Sequence, residues 1–324
     1  MAKQAFEKKL AEIEALRHAP DPASVRDALR KALKDRNNFL VSKAAAIAGG
    51  LRIEELMDDL IAAFDRFFID PVKSDPQCWA KNAIAKALKD LNCRQAGVFL
   101  RGIDHVQLEP VWGGSTDTAA TLRGSCTLAL VDCQMDDLEI LIHFADRLAD
   151  KEKPVRLDAA LAIAQFGRGE GALLLRLKLR MGDREPEVLG QCFSSLLSLA
   201  PESALPFIEK FLTHEEEDVR AEAAAALAAS RELEAIEILK RFWKTRVSPE
   251  IRRAILIALG ASPLQQAAEF LLSVLPEESA DLASEALTAL ASSRFHGEMR
   301  DQVKATVEAT RDAELIWAFE KRFS

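Results

Sequence analysis

The stretch VRAEAAAAL at residues 219–227 decides the fold of this chain. It begins with a branched apolar residue, which in most copies is followed by Arg, and small or apolar residues stand four, five, seven and eight positions further on. The same pattern begins at six places: Leu122, Val155, Val188, Val219, Ile251 and Leu282. These starts lie 31 to 33 residues apart. A fixed period of this size indicates a repeat array, in which each unit buries its apolar face against its neighbours.

Each repeat predicts two helices joined by a short turn. The first helix carries the pattern, and its small residues allow close helix packing. The second is Leu-rich with helical spacing, as in Leu233, Ile236, Leu239 and Trp243. Helices of about 13 residues with short turns leave no room for strands, so the expected fold class is all-α.

The V-R-x-x-A-A-x-A-L pattern resembles the HEAT repeat, in the short bacterial variety also found in phycobilin lyase-like proteins. The resemblance is clear over residues 117–308 and less regular over residues 20–101. It implies one right-handed α-solenoid of about eight helical pairs spanning residues 1–324, with an inserted loop at 102–116. Families of this kind commonly serve as protein-binding scaffolds.

Terminal helices should protect the two ends of the array. The sequence predicts one helix at about residues 3–18 and a C-terminal capping helix within residues 309–324, at about 311–322. In the capping helix, Ala313, Ile316, Trp317 and Phe319 are expected to pack inward.

Composition limits the function classes. The net charge of −8 and the pI near 5.4 oppose a general nucleic-acid binder, which would be basic. No apolar run approaches the roughly 18 residues of a membrane span, and the charged N-terminus lacks the apolar centre of a secretory signal. We therefore expect a cytoplasmic protein without membrane association. The five cysteines form no C-x-x-C pair, and Cys126 and Cys192 occupy repeat positions that Ala fills elsewhere, which favours core filling over metal or redox use.

The stretch RGIDHVQLEPVWGGST, residues 101–116, interrupts the repeat and contains Trp112. Extra residues in a repeat often form a loop on the binding face. The alternative is a lengthened turn in which Val111 and Trp112 fill a local gap in the core. Gly113 and Gly114 precede a helix start but lack the Lys of a phosphate-binding loop.

Two second helices are rich in basic residues, and five of these residues are candidate binding residues: Arg176, Arg180, Lys240, Arg241 and Lys244. Second helices line the concave face in solenoids that this chain resembles, so these side chains could meet an acidic partner or a phosphate backbone. The alternative is a solvated face whose charges are offset by Glu170, Asp183, Glu234 and Glu237.

Four arginines follow the first apolar residue of their repeats: Arg123, Arg156, Arg220 and Arg252. A stack of like charges needs acidic partners, for which Asp117, Asp150 and Asp218 are candidates. We expect a structural ladder, with ligand binding as the alternative.

No catalytic arrangement is visible. The five histidines have no metal-ligand spacing, and only His214-Glu215 resembles the His-Glu dipeptides of deoxyhypusine hydroxylase, an iron enzyme on this scaffold. We expect a non-enzymatic scaffold that binds another protein and needs no cofactor. The alternative is a nucleic-acid-binding or base-repair enzyme resembling the HEAT-like DNA glycosylases, which hold DNA with basic helices and aromatic side chains.

Overall fold

The computed structural model describes residues 2–19, 21–245 and 247–323. The fold class is confirmed: the described residues are 76% helical and include 20 α-helices. It forms two compact units, of which one ends at Phe166 and the other begins at Gly167. A single continuous domain and its right-handed twist stay predictions.

The N-terminal unit holds ten helices and one β-hairpin in its described residues. They are α1 (Ala2–Ala15), α2 (Pro22–Leu33), α3 (Asn38–Gly50), α4 (Met57–Arg66), α5 (Pro71–Ser74), α6 (Trp79–Asp90), α7 (Ala96–Ile103), β1 (Leu108–Val111), β2 (Gly114–Asp117), α8 (Ala120–Leu130), α9 (Asp137–Leu148) and α10 (Lys153–Phe166). Successive first helices α3, α6, α8 and α10 pack on one another. The expectation that the chain contains no strands is therefore wrong, because the inserted stretch folds as a hairpin.

The C-terminal unit holds the other ten helices. They are α11 (Gly171–Met181), α12 (Pro186–Leu199), α13 (Pro201–Ile208), α14 (Glu217–Ala229), α15 (Leu233–Trp243), α16 (Pro249–Gly260), α17 (Gln265–Glu277), α18 (Ala280–Ser292), α19 (His296–Thr310) and α20 (Ala313–Arg322). Here α12, α14, α16, α18 and α20 pack in succession, and α11, α13, α15, α17 and α19 pack beside them. No helix in the described part of the chain is both long and apolar enough to cross a bilayer.

The repeat pattern places the core correctly. In α10 the pattern positions Val155, Ala159, Ala160, Ala162 and Ile163 are all fully buried. Their burial removes apolar surface from water, which stabilises the fold by about 25 cal/mol per Å². The small side chains allow α10 to pack closely against α8.

The capping helix α20 differs from expectation in the face that it buries. Leu315, Ala318 and Phe319 are buried, whereas Trp317 is 62% exposed and Ala313 is also exposed. The prediction that Trp317 and Ala313 pack inward is wrong. The helix packs on α18 and α19, and these contacts select the face that contains Leu315 and Phe319.

We expect Gly49→Ala to destabilise the α3–α6 contact. An added Cβ at Gly49 would lie 2.9 Å from the Cα of Ala87, closer than such carbon atoms normally approach. Overpacking of this kind costs about 1–3 kcal/mol in the free energy of unfolding, measurable by urea denaturation. Gly50 is the matched control, because nothing lies within 4 Å of its added Cβ. Gly50→Ala should leave stability unchanged or raise it by up to about 1 kcal/mol; equal losses in both variants would contradict the packing argument.

Candidate functional site

The inserted stretch forms an antiparallel hairpin with a two-residue turn. Leu108 pairs with Asp117, and Val111 pairs with Gly114 next to the turn. The turn residues are Trp112 and Gly113, and Gly113 has a φ of +86°. Only glycine adopts this backbone conformation at little cost. The glycine therefore fixes Trp112 at the tip of the hairpin.

Trp112 projects fully into solvent. Its relative exposure is 103%, and Val106, Leu108 and Val111 of the same inserted stretch are each about half exposed. The alternative that Val111 and Trp112 fill a gap in the core does not match this placement. We call Trp112 with strands β1 and β2 the Trp112 finger.

A buried glutamine anchors the finger to the helical array. The Oε1 atom of Gln107 accepts hydrogen bonds from Lys81 Nζ at 3.0 Å and from Cys78 Sγ at 3.2 Å. Its Nε2 atom donates to the carbonyl of Asp75 at 2.9 Å and to Glu109 at 2.7 Å. Gln107 is 1% exposed, so a chain of satisfied buried bonds fixes the base of β1.

Lys81 and Asp75 form an ion pair with no exposed side-chain surface. Their N–O distance is 3.1 Å, and Lys81 also donates to the carbonyl of Phe67 at 3.2 Å. Asp75 accepts from Asn38 and from the backbone N–H groups of Ala80 and Lys81 at the start of α6. Buried charges are tolerated when they are paired and hydrogen-bonded in this way.

The segment beneath the finger has a strained backbone. Gln77 and Cys78 both have positive φ, +60° and +53°, which is costly for residues other than glycine. The N–H of Gln77 donates to Glu109 at 2.6 Å, and Thr118 donates to the same carboxylate oxygen at 2.7 Å. Burial would raise the pKa of Glu109, but these hydrogen bonds and that from Gln107 hold it below the ordinary value. The ionised Glu109 thus ties the strained segment to the finger.

His105 supplies a neutral donor at the edge of this network. Its Nε2 lies 3.1 Å from Gln107 Oε1, which already serves as an acceptor. Burial lowers the pKa of His105, so the ring is neutral near pH 7 and its Nε2 carries the hydrogen. The histidine therefore has a positioning role here.

Arg123 anchors strand β2. Its guanidinium donates to both carboxylate oxygens of Asp150 at 2.9 and 3.0 Å, to Asp117 at 2.6 Å and to the carbonyl of His105 at 3.0 Å. The side chain is 4% exposed. A bidentate pair of this kind has high geometric specificity. Arg123 therefore fixes the end of β2 to the loop that follows α9.

A groove of about 460 Å³ runs between the finger and the C-terminal end of α9. Val106 and Leu108 line one side, and Arg147 lies on the other, where it pairs with Asp104 at 2.9 Å. The lining contains five carboxylates and three cationic side chains: Asp104, Asp117, Asp146, Asp150, Glu152, Arg123, Arg147 and Lys151. The lining therefore has an apolar part along the finger and more carboxylates than cations.

Sequence reasoning identified Trp112 but missed Lys81, Asp75 and Gln107. One signal was available for Lys81, which stands three residues before Ile84 and seven before Leu88 and so shares their apolar face. A Lys on an apolar face indicates a buried charge in need of a partner. Nothing in the local sequence of Gln107 indicates its role.

The basic candidates of α15 pair with neighbouring acids. Lys240 lies 2.8 Å from Glu237, and Arg241 lies 3.0 Å from Glu234 and 3.3 Å from Glu209. Lys244 is exposed and forms no ion pair with another described residue. Arg246, which follows in the same basic stretch, lies outside the described residues. Most of the basic charge of this helix is thus offset locally.

The basic candidates of α11 are placed differently. The guanidinium groups of Arg176 and Arg180 lie over the ring of Phe207, at 4.1 and 5.4 Å from its centroid. Lys178 of the same helix pairs instead with Asp183 at 2.7 Å. The structure thus brings two of the five basic candidates together on an aromatic ring.

The other repeat arginines contact residues that precede their own helix in the sequence. They donate to main-chain carbonyl groups: Arg156 to Asp150 and Lys151, Arg220 to His214 and Glu215, and Arg252 to Trp243. Arg252 also pairs with Glu278 at 2.8 Å. Of the acidic partners expected from the sequence, Asp117 and Asp150 bind Arg123, while the carboxylate nearest Arg220 is Glu217 at 3.9 Å.

The cysteines lie in the helical core. Cys78, Cys93, Cys126 and Cys192 are buried, and Cys133 is half-buried. Burial raises the pKa of Cys78 to about 11 and that of Cys192 to about 12. These thiols are therefore protonated near pH 7 and are poor nucleophiles. Among the described residues, no three His, Cys, Asp or Glu side chains are grouped so that they could hold a metal ion.

Two ranges of the chain, residues 173–260 and 206–291, match the HEAT repeat family. Among solved structures, the complex of CpcE and CpcF of phycocyanin lyase from Nostoc sp. PCC7120 is similar, with 17% identity, coverage of 88% of this chain and 94% of that chain, and a TM-score of 0.37. An engineered protein is 16% identical, and the match covers 97% of this chain and 95% of that protein, with a TM-score of 0.33. A designed armadillo repeat protein in complex with the peptide (KR)4 is 15% identical, and the match covers 97% of this chain and 99% of that protein, with a TM-score of 0.15. No curated protein sequence matches the chain.

Proposed function

We propose that this chain, which matches the HEAT repeat family over residues 173–260 and 206–291, is a non-enzymatic scaffold that binds another protein, and that the Trp112 finger is its principal anchor. The observation that carries the proposal is the placement of Trp112, 103% exposed at the tip of an anchored hairpin. A tryptophan in solvent contributes nothing to the fold of its own chain. Buried in a partner, it removes about 150–250 Å² from water.

The rigid base of the finger supports this function. Binding costs free energy when flexible groups must be ordered. Gln107, Lys81 and Glu109 already hold the finger through buried hydrogen bonds. A preorganised and exposed tryptophan is typical of an interface hot spot.

The groove beside the finger is consistent with a protein partner whose binding surface has both apolar and polar parts. Its apolar side is formed by Val106 and Leu108, while Asp146 and Glu152 contribute carboxylates to the lining. Interfaces commonly combine an apolar centre with a polar rim. The partner is expected to place an apolar pocket over Trp112 and basic or neutral donors at these carboxylates.

The net charge of −8, together with the pairing of Lys240 and Arg241 with neighbouring acids, favours a protein over a nucleic acid as the partner. Phosphate contacts need cations that are available to displace counterions. The nucleic-acid-binding and base-repair alternative therefore ranks second and is an outcome of the test below.

The test compares tagged wild-type protein with Trp112→Ala in affinity purification from a lysate of the native source, with half of each sample treated with nuclease. We expect a stoichiometric protein that survives nuclease and is lost from Trp112→Ala, because truncation of a hot-spot tryptophan raises Kd by about 30-fold or more. Trp317→Ala is the matched control, since Trp317 is also exposed but lies on α20.

Two results would contradict the proposal. Equal recovery of the partner with wild type and Trp112→Ala would exclude the finger as the anchor. Recovery that disappears after nuclease treatment would favour the nucleic-acid alternative. Circular dichroism should show unchanged helix content in both variants, so that loss of binding is not loss of folding.

A further inference from the structure

Helix α11 has an exposed apolar stripe on the face opposite its core. Leu173, Leu177 and Met181 are spaced by four residues and so lie along one side of the helix. Their exposed fractions are 69%, 59% and 76%. Such a row on a surface helix indicates a binding face.

The core face of α11 is occupied by other residues. Ala172, Leu175 and Leu179 are buried where α11 packs on α12. The exposed stripe is therefore an addition to the amphipathic pattern that the fold requires. Met and Leu side chains are flexible and suit a partner with a complementary apolar row.

Two arginines flank the stripe on the same side. Arg176 and Arg180 follow Leu173 and Leu177 by three residues, and both guanidinium groups lie over the ring of Phe207. Arg176 also donates to the carbonyl of Ser203 at 3.2 Å. Within the described residues, neither arginine forms an ion pair with a carboxylate. The ring thus holds two cationic groups in place without neutralising them.

Other cations of the C-terminal unit do form ion pairs. Lys178 pairs with Asp183 at 2.7 Å, and Arg241 pairs with two glutamates. Arg176 and Arg180 stand one helical turn apart, about 6 Å along the axis. Their matching partner is therefore a pair of carboxylates with a similar separation, which is the spacing of residues i and i+4 on a helix.

We propose that the stripe Leu173, Leu177 and Met181, with Arg176 and Arg180, binds an acidic amphipathic helix of a protein partner. An apolar row of three side chains matches the i, i+4 and i+8 anchors of a helix laid along it. Because both arginines lie on one flank, the acids of the partner must also lie on one flank, and this fixes its orientation. The surface lies on another unit from the Trp112 finger, so it can fail or succeed independently of the function proposed above.

The test uses the full chain and fluorescently labelled synthetic helices of about 18 residues. One peptide carries Leu along one face and Glu at i and i+4 on its flank, and its matched control carries Lys in place of Glu. Fluorescence anisotropy should give a Kd at least ten-fold lower for the Glu peptide. The preference should weaken with added salt, because exposed charges are screened.

Variants identify the residues responsible. Arg176→Gln with Arg180→Gln should weaken binding of the Glu peptide ten-fold or more, and Leu177→Ser with Met181→Ser should do the same. Lys240→Gln with Lys244→Gln is the control for net charge and should leave Kd unchanged. All these side chains are at least partly exposed, and circular dichroism checks that folding is retained.

Other occupants are outcomes that would overturn the proposal. Equal binding of the Glu and Lys peptides, or no binding of the Glu peptide near millimolar concentration, excludes an acidic helix. Self-association that Leu177→Ser with Met181→Ser abolishes would assign the stripe to a second copy of the chain. Binding to vesicles of phosphatidylcholine and phosphatidylserine that depends on the stripe, without peptide binding, would assign it to a membrane surface.

Discussion

Replacing Lys81 by Met is expected to lower the free energy of unfolding by roughly 3–5 kcal/mol. The change removes the cation that pairs with Asp75 at 3.1 Å where both side chains are fully buried. Asp75 would keep its bonds from Asn38 and α6 but would lose its counter-charge. Met fills a similar volume, so the loss reports the charge rather than a cavity. Urea denaturation followed by circular dichroism measures it.

Lys86 provides the control for Lys81 because it lies on the same helix but is exposed. Lys86→Met should change stability by less than about 0.5 kcal/mol. Asp75→Asn should lower the free energy of unfolding less in the Lys81→Met variant than in the wild type, because the double variant contains no unpaired buried charge. If Lys81→Met were as stable as Lys86→Met, the ion pair could not be what holds the base of the finger.

The same variant should loosen the finger locally. Lys81 bonds to Gln107, whose backbone carbonyl accepts from the N–H of Thr118 next to β2. Hydrogen exchange at Thr118 should therefore become faster in Lys81→Met than in Lys86→Met. This effect would connect the buried pair to the presentation of Trp112.

The repeat helices could be predicted from sequence because their cause is local and repeated. Val219, Ala223, Ala224 and Leu227 recur at one spacing, and all four are buried. Each repeat presents the same apolar pattern, so many copies indicate the same packing. The resemblance to HEAT repeats therefore came from residues that form the core.

The hairpin could not be predicted because its signals conflict. Its strands are only four residues long, and Pro110 within β1 counts against a strand. What stabilises it is distant in sequence: Gln107 contacts Asp75 and Lys81, 32 and 26 residues away. Such tertiary contacts decide the structure of a short segment where local propensity is weak.

The prediction of which face of α20 packs inward was wrong for a related reason. Helical spacing allows either Trp317 or Leu315 and Phe319 to face the core, because the helix is apolar on more than one side. The structure buries Leu315 and Phe319 and leaves Trp317 with Lys321 over its ring. Sequence pattern gives the helix, while its packing partners select the face.

Arg123→Met should lower the free energy of unfolding at pH 7 by roughly 3–5 kcal/mol. The largely buried carboxylates of Asp117 and Asp150 would lose the cation that they share. The comparison is Arg220→Met. Arg220 donates to the carbonyls of His214 and Glu215 and is 22% exposed. Loss of such bonds costs about 1 kcal/mol. Urea denaturation of the two variants should therefore separate the charge pair from the carbonyl contacts.

The pH dependence of the Arg123 effect has a definite sign. Burial would raise the pKa of Asp117, but bonds from the N–H groups of Ala119 and Gln107 and from Arg123 hold it below the ordinary value. A lowered carboxyl pKa stabilises the fold above the pKa of the unfolded chain, about 3.9, and this stabilisation is lost as the pH falls. The difference between wild type and Arg123→Met should thus be largest near pH 7 and decrease below about pH 4. A difference that stays constant from pH 7 to pH 3 would show that Arg123 acts through packing rather than through the carboxylates at the end of the finger.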